Sequence, residues 1–322
     1  MSISTKDRFS YSPSGDRGIL RIGTRESQLA VWQAELVKTQ LAQNNLESEL
    51  VFIKSEGDID LVTPLYEIGV QGIFTKTLDA ALLNNRIDLA VHSMKDVPVQ
   101  LAKGIVQAAV LKRASYKDIL VYKGNPDFLN DHNSYATIAT SSIRRIAQWL
   151  HKYPNHAIEN LRGNVITRLQ KVKNSNWNGA IFAAAGVERI NVRPENSIDI
   201  DWMLPAPAQG AIMVVCNEDD LYTKKACAAL NDESTALCTK IERDFLKTLM
   251  GGCSTPISAL AEIKNDEVYF KGNIFSLDGK EFLETEKTID INNAGSLGVD
   301  AAKILLNKGA DKITAAIRNA NI

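Results

Sequence analysis

Along most of the chain, apolar positions alternate between two periods, and this alternation lays out the expected elements. Residues 19–23 read as a strand, and 26–43 as an amphipathic helix with Leu29, Trp32, Leu36 and Val37 on one face. The series continues with a strand at 50–53, a helix at 73–83, a buried strand at 89–92 and a strand at 119–122. Residues 142–151 are expected as a helix capped by its serine and 164–173 as another, with strands at 180–184 and 211–216. Such alternation predicts doubly wound α/β domains with parallel sheets, whose ligand sites lie beyond the carboxyl ends of the strands.

From about Ser234 the pattern changes. A long helix through Leu249 leads to a turn at 251–256, then to strands at 259–263 and 268–274 and two further helical stretches. Strands followed by helices predict a separate, small α+β domain whose antiparallel sheet is covered on one face. A length of 322 residues accommodates three domains. Their expected bounds are 19–113 together with 211–232, then 114–210, then 234–322, after a flexible polar tail at 1–18.

Composition narrows the function classes. With 45% hydrophobic and 23% charged residues, the chain can bury a core without disulfides or metals. Neither the tail nor any later segment has the apolar length of a signal peptide or a bilayer span, so a soluble, cytoplasmic protein with no membrane partner is expected. A formal net charge of −1 argues against nucleic acid, as does the lack of aromatic stacking motifs. Cys216, Cys227 and Cys238 sit in apolar patterns and are expected in the core, while no cysteine spacing suits a metal. Cys253 differs: Gly251 and Gly252 before it and Ser254, Thr255 and Pro256 after it describe an exposed turn.

Three polar turns each follow an extended segment and open a helix: Thr24, Arg25 and Ser27; Ser141, Ser142, Arg144 and Arg145; Arg162, Gly163, Asn164 and Arg168. Free N–H groups at a helix start, with a guanidinium beside them, suit carboxylates or phosphates. Any one of these turns is equally a common cap with a surface arginine, and the case lies in their repetition. The arginines are expected to face a cleft, so that replacing Arg144 or Arg162 would leave stability nearly intact. Residues 88–98 run from a buried strand into a polar exit bearing His92, Ser93, Lys95 and Asp96. Asp96 there is either a working carboxylate or an ordinary partner for a lysine, and His92 reads as a satisfied strand histidine. Gln209 and Gly210, after Pro205 and Pro207, read as a hinge of slight chemical weight. Gly69, Gly72 and Phe74 form either a lid or the turn that starts a helix.

Taken in order, the segments RIGTRESQLAVWQA, RIDLAVHSMKDVP, ATSSIRRIAQW, LRGNVITRL, FAAAGVERI, PAPAQGA and LMGGCSTPI resemble the hydroxymethylbilane synthase, or porphobilinogen deaminase, family from Ile19 to the C-terminus. The resemblance implies two periplasmic-binding-protein-like α/β domains flanking a cleft, plus a small C-terminal domain. It implies a transferase that condenses four porphobilinogen molecules head to tail, releasing ammonia at each step, and then frees the linear tetrapyrrole by hydrolysis. Cys253 matches the cysteine that holds a dipyrromethane cofactor by a thioether, the primer for the growing chain. Asp96 matches the catalytic aspartate, which assists loss of the aminomethyl nitrogen. Arg25, Ser27, Arg144, Arg145, Arg162, Arg168 and Arg189 match positions that bind cofactor and substrate carboxylates, and Asp58, Lys95 and Ser142 join the cofactor site. A monomer without a metal is implied as well. Glu67 and Gln71 depart from the lysines often found there in bacterial relatives. The rival reading is a non-enzymatic two-domain protein that closes on a small anion; it has no use for a thiol at Cys253.

Overall fold

The computed structural model describes residues 18–54, 75–249 and 255–320. Asp58, Cys253, Glu67, Gln71 and the turn with Gly69, Gly72 and Phe74 lie outside the described residues, as does the tail at 1–17. The first α/β unit begins with β1 (Leu20–Thr24), α1 (Gln28–Gln43), β2 (Ser48–Phe52), α2 (Lys76–Leu83), β3 (Leu89–Ser93) and β4 (Ile105–Leu111). α1 buries Ala30, Gln33, Ala34, Val37 and Leu41, a three-to-four-residue spacing that lays one stripe on the sheet. β3 is covered on both faces, which is why its sequence runs apolar without alternation.

The chain then crosses at 112–117 into a second unit: β5 (Asp118–Tyr122), β6 (Thr137–Ala139), α3 (Ile143–Lys152), β7 (Ala157–Glu159), α4 (Val165–Asn174), β8 (Gly179–Ala183), α5 (Ala184–Glu188) and β9 (Ser197–Asp199). It returns at 200–211 to supply β10 (Ile212–Asn217) and α6 (Leu221–Ala228). The strand orders are β2-β1-β3-β10-β4 and β7-β6-β8-β5-β9. Both sheets are mixed, which corrects the expectation of parallel ones: β10 runs antiparallel to β3 and β4, and β5 antiparallel to β8 and β9. In each sheet the reversed strand is the one delivered by a crossing from the other unit, a topological fact that hydrophobic period does not encode.

The two crossings touch. Ala114 N–H donates to the Gly210 carbonyl at 3.1 Å, and Gly210 has φ +86° with the Ser115 carbonyl only 2.6 Å from where a Cβ would stand. Glycine is required there on both counts.

The remaining chain forms α7 (Glu233–Thr248), a β11-β12-β13 meander (Ile257–Lys264, Glu267–Phe275, Phe282–Asp290), α8 (Leu297–Asn307) and α9 (Ala310–Ala320). Ile241, Phe245, Ile274, Ala301 and Leu305 share one core between this sheet and its helices. β13 was not expected, because charges on its exposed face hide the strand period. Cys216, Cys227 and Cys238 are buried, as their apolar contexts predict. Glu242 of α7 ties this unit to both crossings: fully buried, it accepts from Arg113 at 2.6 Å, from Ala208 N–H at 2.6 Å and from Ala261 N–H at 2.8 Å. Each of these donors satisfies a carboxylate that would otherwise be strongly unfavourable in the interior.

Candidate active site

β3 leaves its sheet through one short turn of 3₁₀ helix, Met94–Asp96. Met94 is buried in the core beneath, and its N–H is fixed to the Ala211 carbonyl at 3.0 Å. With that anchor, Lys95 is left half-buried and Asp96 exposed at the carboxyl edge of the strand. Lys95 donates to Gln209 Oε1 at 3.3 Å, and the described residues show no ion pair between it and Asp96. Burial pushes its ammonium down to about 8, against the pull of Asp96 and with Arg145 and Arg144 adding repulsion.

Behind this turn lies a polar hub that sequence reasoning missed. Asp118, the first residue of β5, is fully buried and accepts from Arg144 Nη2 at 2.7 Å, Arg145 Nη2 at 2.7 Å and Gln209 Nε2 at 2.8 Å. Burial alone would raise its proton affinity, but the two guanidinium groups hold it well below the usual carboxylate range. Gln209 therefore joins Asp118 to Lys95 through one amide, a larger part than the hinge assigned to it. Only the fold brings residues 95, 118, 144 and 209 together; no local motif links them.

The hub, and burial at Arg162, correct the expected cleft-facing posture of Arg144 and Arg162. Arg144 is 5% exposed and spends its other Nη on the Leu204 carbonyl at 2.7 Å, so it faces protein, not an open cleft. Arg162 is equally buried, at 4%. Arg145 likewise donates to the Ile181 carbonyl at 3.1 Å.

Three helix starts carry the polar turns expected from the sequence. Ser27 and Ser142 occupy the N-cap positions of α1 and α3 without making a side-chain cap bond, which corrects the serine cap expected for α3. Asn164 does cap α4, accepting from Thr167 N–H at 2.9 Å. One turn along α4, Arg168 donates to the Gly163 carbonyl at 2.7 Å. Burial, with Arg145 and Arg162 repelling it and Asp96 attracting it, pushes the Arg168 guanidinium down to about 10. The charge of Asp96, on the first unit, is thus felt by Arg168 of the second. Arg189, at the end of α5, reaches back across: it donates to the Gly210 carbonyl at 2.7 Å and lies over the Trp32 ring of α1 at 5.6 Å.

His92 is buried, and that burial together with Arg25 pushes its imidazole down to about 4, so the ring is neutral at pH 7. Its Nε2 has no hydrogen-bond partner among the described residues, a departure from the satisfied histidine expected. Gln33, another residue the sequence did not single out, donates to Ser93 Oγ at 2.9 Å beside it.

The site thus holds more positive than negative charge in a poorly solvated setting, since the Asp118 carboxylate is already engaged by two arginines. The repulsion of Arg168 by Arg145 and Arg162 would be relieved by a bound carboxylate, so a polycarboxylate such as a dipyrromethane bearing acetate and propionate arms fits the donor set. No cluster of three or more metal-ligating side chains occurs among the described residues, and no described helix is long and apolar enough to cross a membrane.

Comparison with known proteins adds to this picture. A family model described as "Porphobilinogen deaminase, dipyromethane cofactor binding domain" matches residues 20–225, and one described as "Porphobilinogen deaminase, C-terminal domain" matches 236–307. A curated porphobilinogen deaminase of Chlorobium phaeobacteroides (strain BS1) is 38% identical over 307 residues, covering 93% of this chain and 98% of its own. Among solved structures, an ABC transporter periplasmic substrate-binding protein from Coxiella burnetii aligns with 68% of the chain and 94% of its own at TM-score 0.43 and 15% identity. The methionine-binding protein MetQ aligns with 67% of the chain and 91% of its own at TM-score 0.41 and 14% identity. With both families of motifs, the cleft and the terminal unit, accounted for along nearly its whole length, the chain belongs to the porphobilinogen deaminase family.

Proposed function

We propose that this protein is a hydroxymethylbilane synthase, a cytoplasmic monomer that condenses four porphobilinogen molecules on a dipyrromethane held by Cys253 and releases the linear tetrapyrrole. The observation that carries the reading is an exposed carboxylate, Asp96, at the end of β3, whose charge is felt by Arg168 of the other α/β unit.

When bound, the dipyrromethane supplies the pyrrole carbon from which the chain is extended. Arg25, Arg145, Arg162, Arg168 and Arg189, with Lys95 and the N-termini of α1, α3 and α4, hold its carboxylates and those of each incoming porphobilinogen. Ser27 and Ser142 donate to the same groups; that their hydroxyls are not used as caps supports this. Asp58 completes the cofactor site. A charge-assisted hydrogen bond contributes roughly 1.5–3 kcal/mol before desolvation, so several together hold a polyanion while each can be exchanged as the chain advances. Arg144 acts one step back, keeping Asp118, Arg145 and Gln209 in register.

Among the described residues of this constellation, Asp96 is the carboxylate not consumed by a buried pair. Fixed by Met94 below it, it favours the positive charge that develops on the pyrrole as the amino nitrogen departs, and it can take the proton released on coupling. Asp96→Asn preserves shape and removes the charge. Purified with its cofactor, that variant is expected to fold as wild type and to lose most turnover, measured as porphobilinogen consumed and ammonia released. Wild-type turnover by the variant would remove Asp96 from the reaction.

A further inference from the structure

Arg243 stands on α7, in the third unit, yet its guanidinium ends against the turn that carries Lys95 and Asp96. Nη1 donates to the Val97 carbonyl at 2.9 Å and the Met94 carbonyl at 3.4 Å, and Nη2 donates to the Pro98 carbonyl at 2.6 Å. These acceptors bracket Asp96 on both sides. No carboxylate pairs with Arg243 among the described residues, and burial pushes its guanidinium down to about 10. Its charge is therefore spent on three backbone dipoles, an arrangement a planar fork satisfies and a point-charge ammonium does not. The Val97 and Pro98 carbonyls have no other donor among the described residues.

The helix is well fixed at the other end. Its N-cap Asp232 donates its N–H to the Val110 carbonyl at 2.8 Å, Thr235 Oγ1 accepts from Arg113 N–H at 3.0 Å, and Ala236 packs on the core that holds Met94. α7 ends at Thr248, five positions before Cys253. One helix thus carries the contact to the turn bearing Asp96 and leads, in sequence, to Cys253.

We propose that Arg243 is a positioning residue for the condensation, fixing the 94–98 turn and hence the Asp96 carboxylate relative to the unit that carries Cys253. The inference rests on Asp96 being the carboxylate that serves the reacting carbon. Arg243 touches neither substrate nor cofactor, so its removal acts on the rate of the step Asp96 serves and not on carboxylate binding.

The test is a double-mutant cycle on holoenzymes whose cofactor content has been checked by intact mass. Arg243→Met is expected to lower kcat about 10- to 100-fold, the loss a misplacement near 1 Å brings, with KM for porphobilinogen little changed. Arg243→Lys is expected to recover part of the loss. In the Asp96→Asn background, Arg243→Met should add little, because the group it positions is already gone. Wild-type kcat in Arg243→Met, or a loss that multiplies fully with that of Asp96→Asn, overturns the inference while leaving the role of Asp96 standing. Wild-type turnover by Asp96→Asn alone instead removes the reading beneath it, and the inference falls with it. Should the methionine variant fail to load cofactor, Arg243→Gln, which keeps two N–H donors, carries the same cycle.

Discussion

Arg144→Leu tests the hub most severely, because sequence and structure predict opposite results. A cleft-facing arginine could be removed with little effect on stability, but the one observed neutralises a carboxylate with no exposed surface. Truncating one member of a buried pair costs about 3–5 kcal/mol, and the lower end applies here because Asp118 keeps Arg145 and Gln209. The Leu204 carbonyl keeps Gln148 Nε2 at 3.0 Å, so its loss adds little. A cost of about 3 kcal/mol lowers the thermal midpoint of a unit of about 100 residues by roughly 12–24 °C. Urea unfolding followed by intrinsic tryptophan fluorescence, to which Trp149, buried on the same helix as Arg144, contributes, reads the change. The pH dependence has a definite sign. A carboxyl held low in the folded state contributes stability that is complete above its unfolded value near 3.9 and is lost as pH falls. The gap between wild type and variant should therefore be widest at neutral pH and narrow as the medium is acidified below about 4. A gap under about 1 kcal/mol at pH 7, or one that does not vary with acidification, would refute the hub as a stabilising element.

Lys95, with its ammonium near 8, should make porphobilinogen binding weaken as pH rises through that value; Lys95→Arg stays charged and should flatten this limb of the KM profile, and identical limbs would exclude Lys95 from carboxylate binding. At Gly298 a Cβ would stand 2.0 Å from the Ile241 carbonyl, where α8 crosses α7, so Gly298→Ala should destabilise by about 1–3 kcal/mol in thermal unfolding without altering KM; an unchanged midpoint would show that the helices separate freely.

What could be read in the sequence and what could not divide along physical lines. α1, α3, α4 and the buried strands β3, β8 and β10 stood out because their apolar periods are set by the face each must bury. Short strands such as β6, β7 and β9, three residues each, are too brief to show a period, and the reversal of β5 and β10 follows from where the chain re-enters a sheet. At the site, Asp96 and the arginine-bearing turns were visible as strand exits and helix starts. Asp118 was not, since a lone acid at the head of a strand acquires meaning only when Arg144, Arg145 and Gln209 arrive from distant segments. Arg144 was misjudged for the same reason: its sequence neighbours describe a polar turn, while its burial is decided by a partner 26 residues away. Gln209 and Arg243 likewise take their roles from carbonyls, carboxylates and ammonium groups that the fold alone supplies.

The proposed reaction depends on a growing pyrrole chain anchored at one sulfur. Its most direct check is mass spectrometry of the purified protein and its Cys253-containing peptide, before and after addition of limiting porphobilinogen. A linked pyrrole pair on Cys253 at the outset, further increments of one pyrrole unit each on the same peptide, and neither in Cys253→Ala is the predicted result. An unmodified Cys253 in a preparation with full deaminase turnover would contradict it.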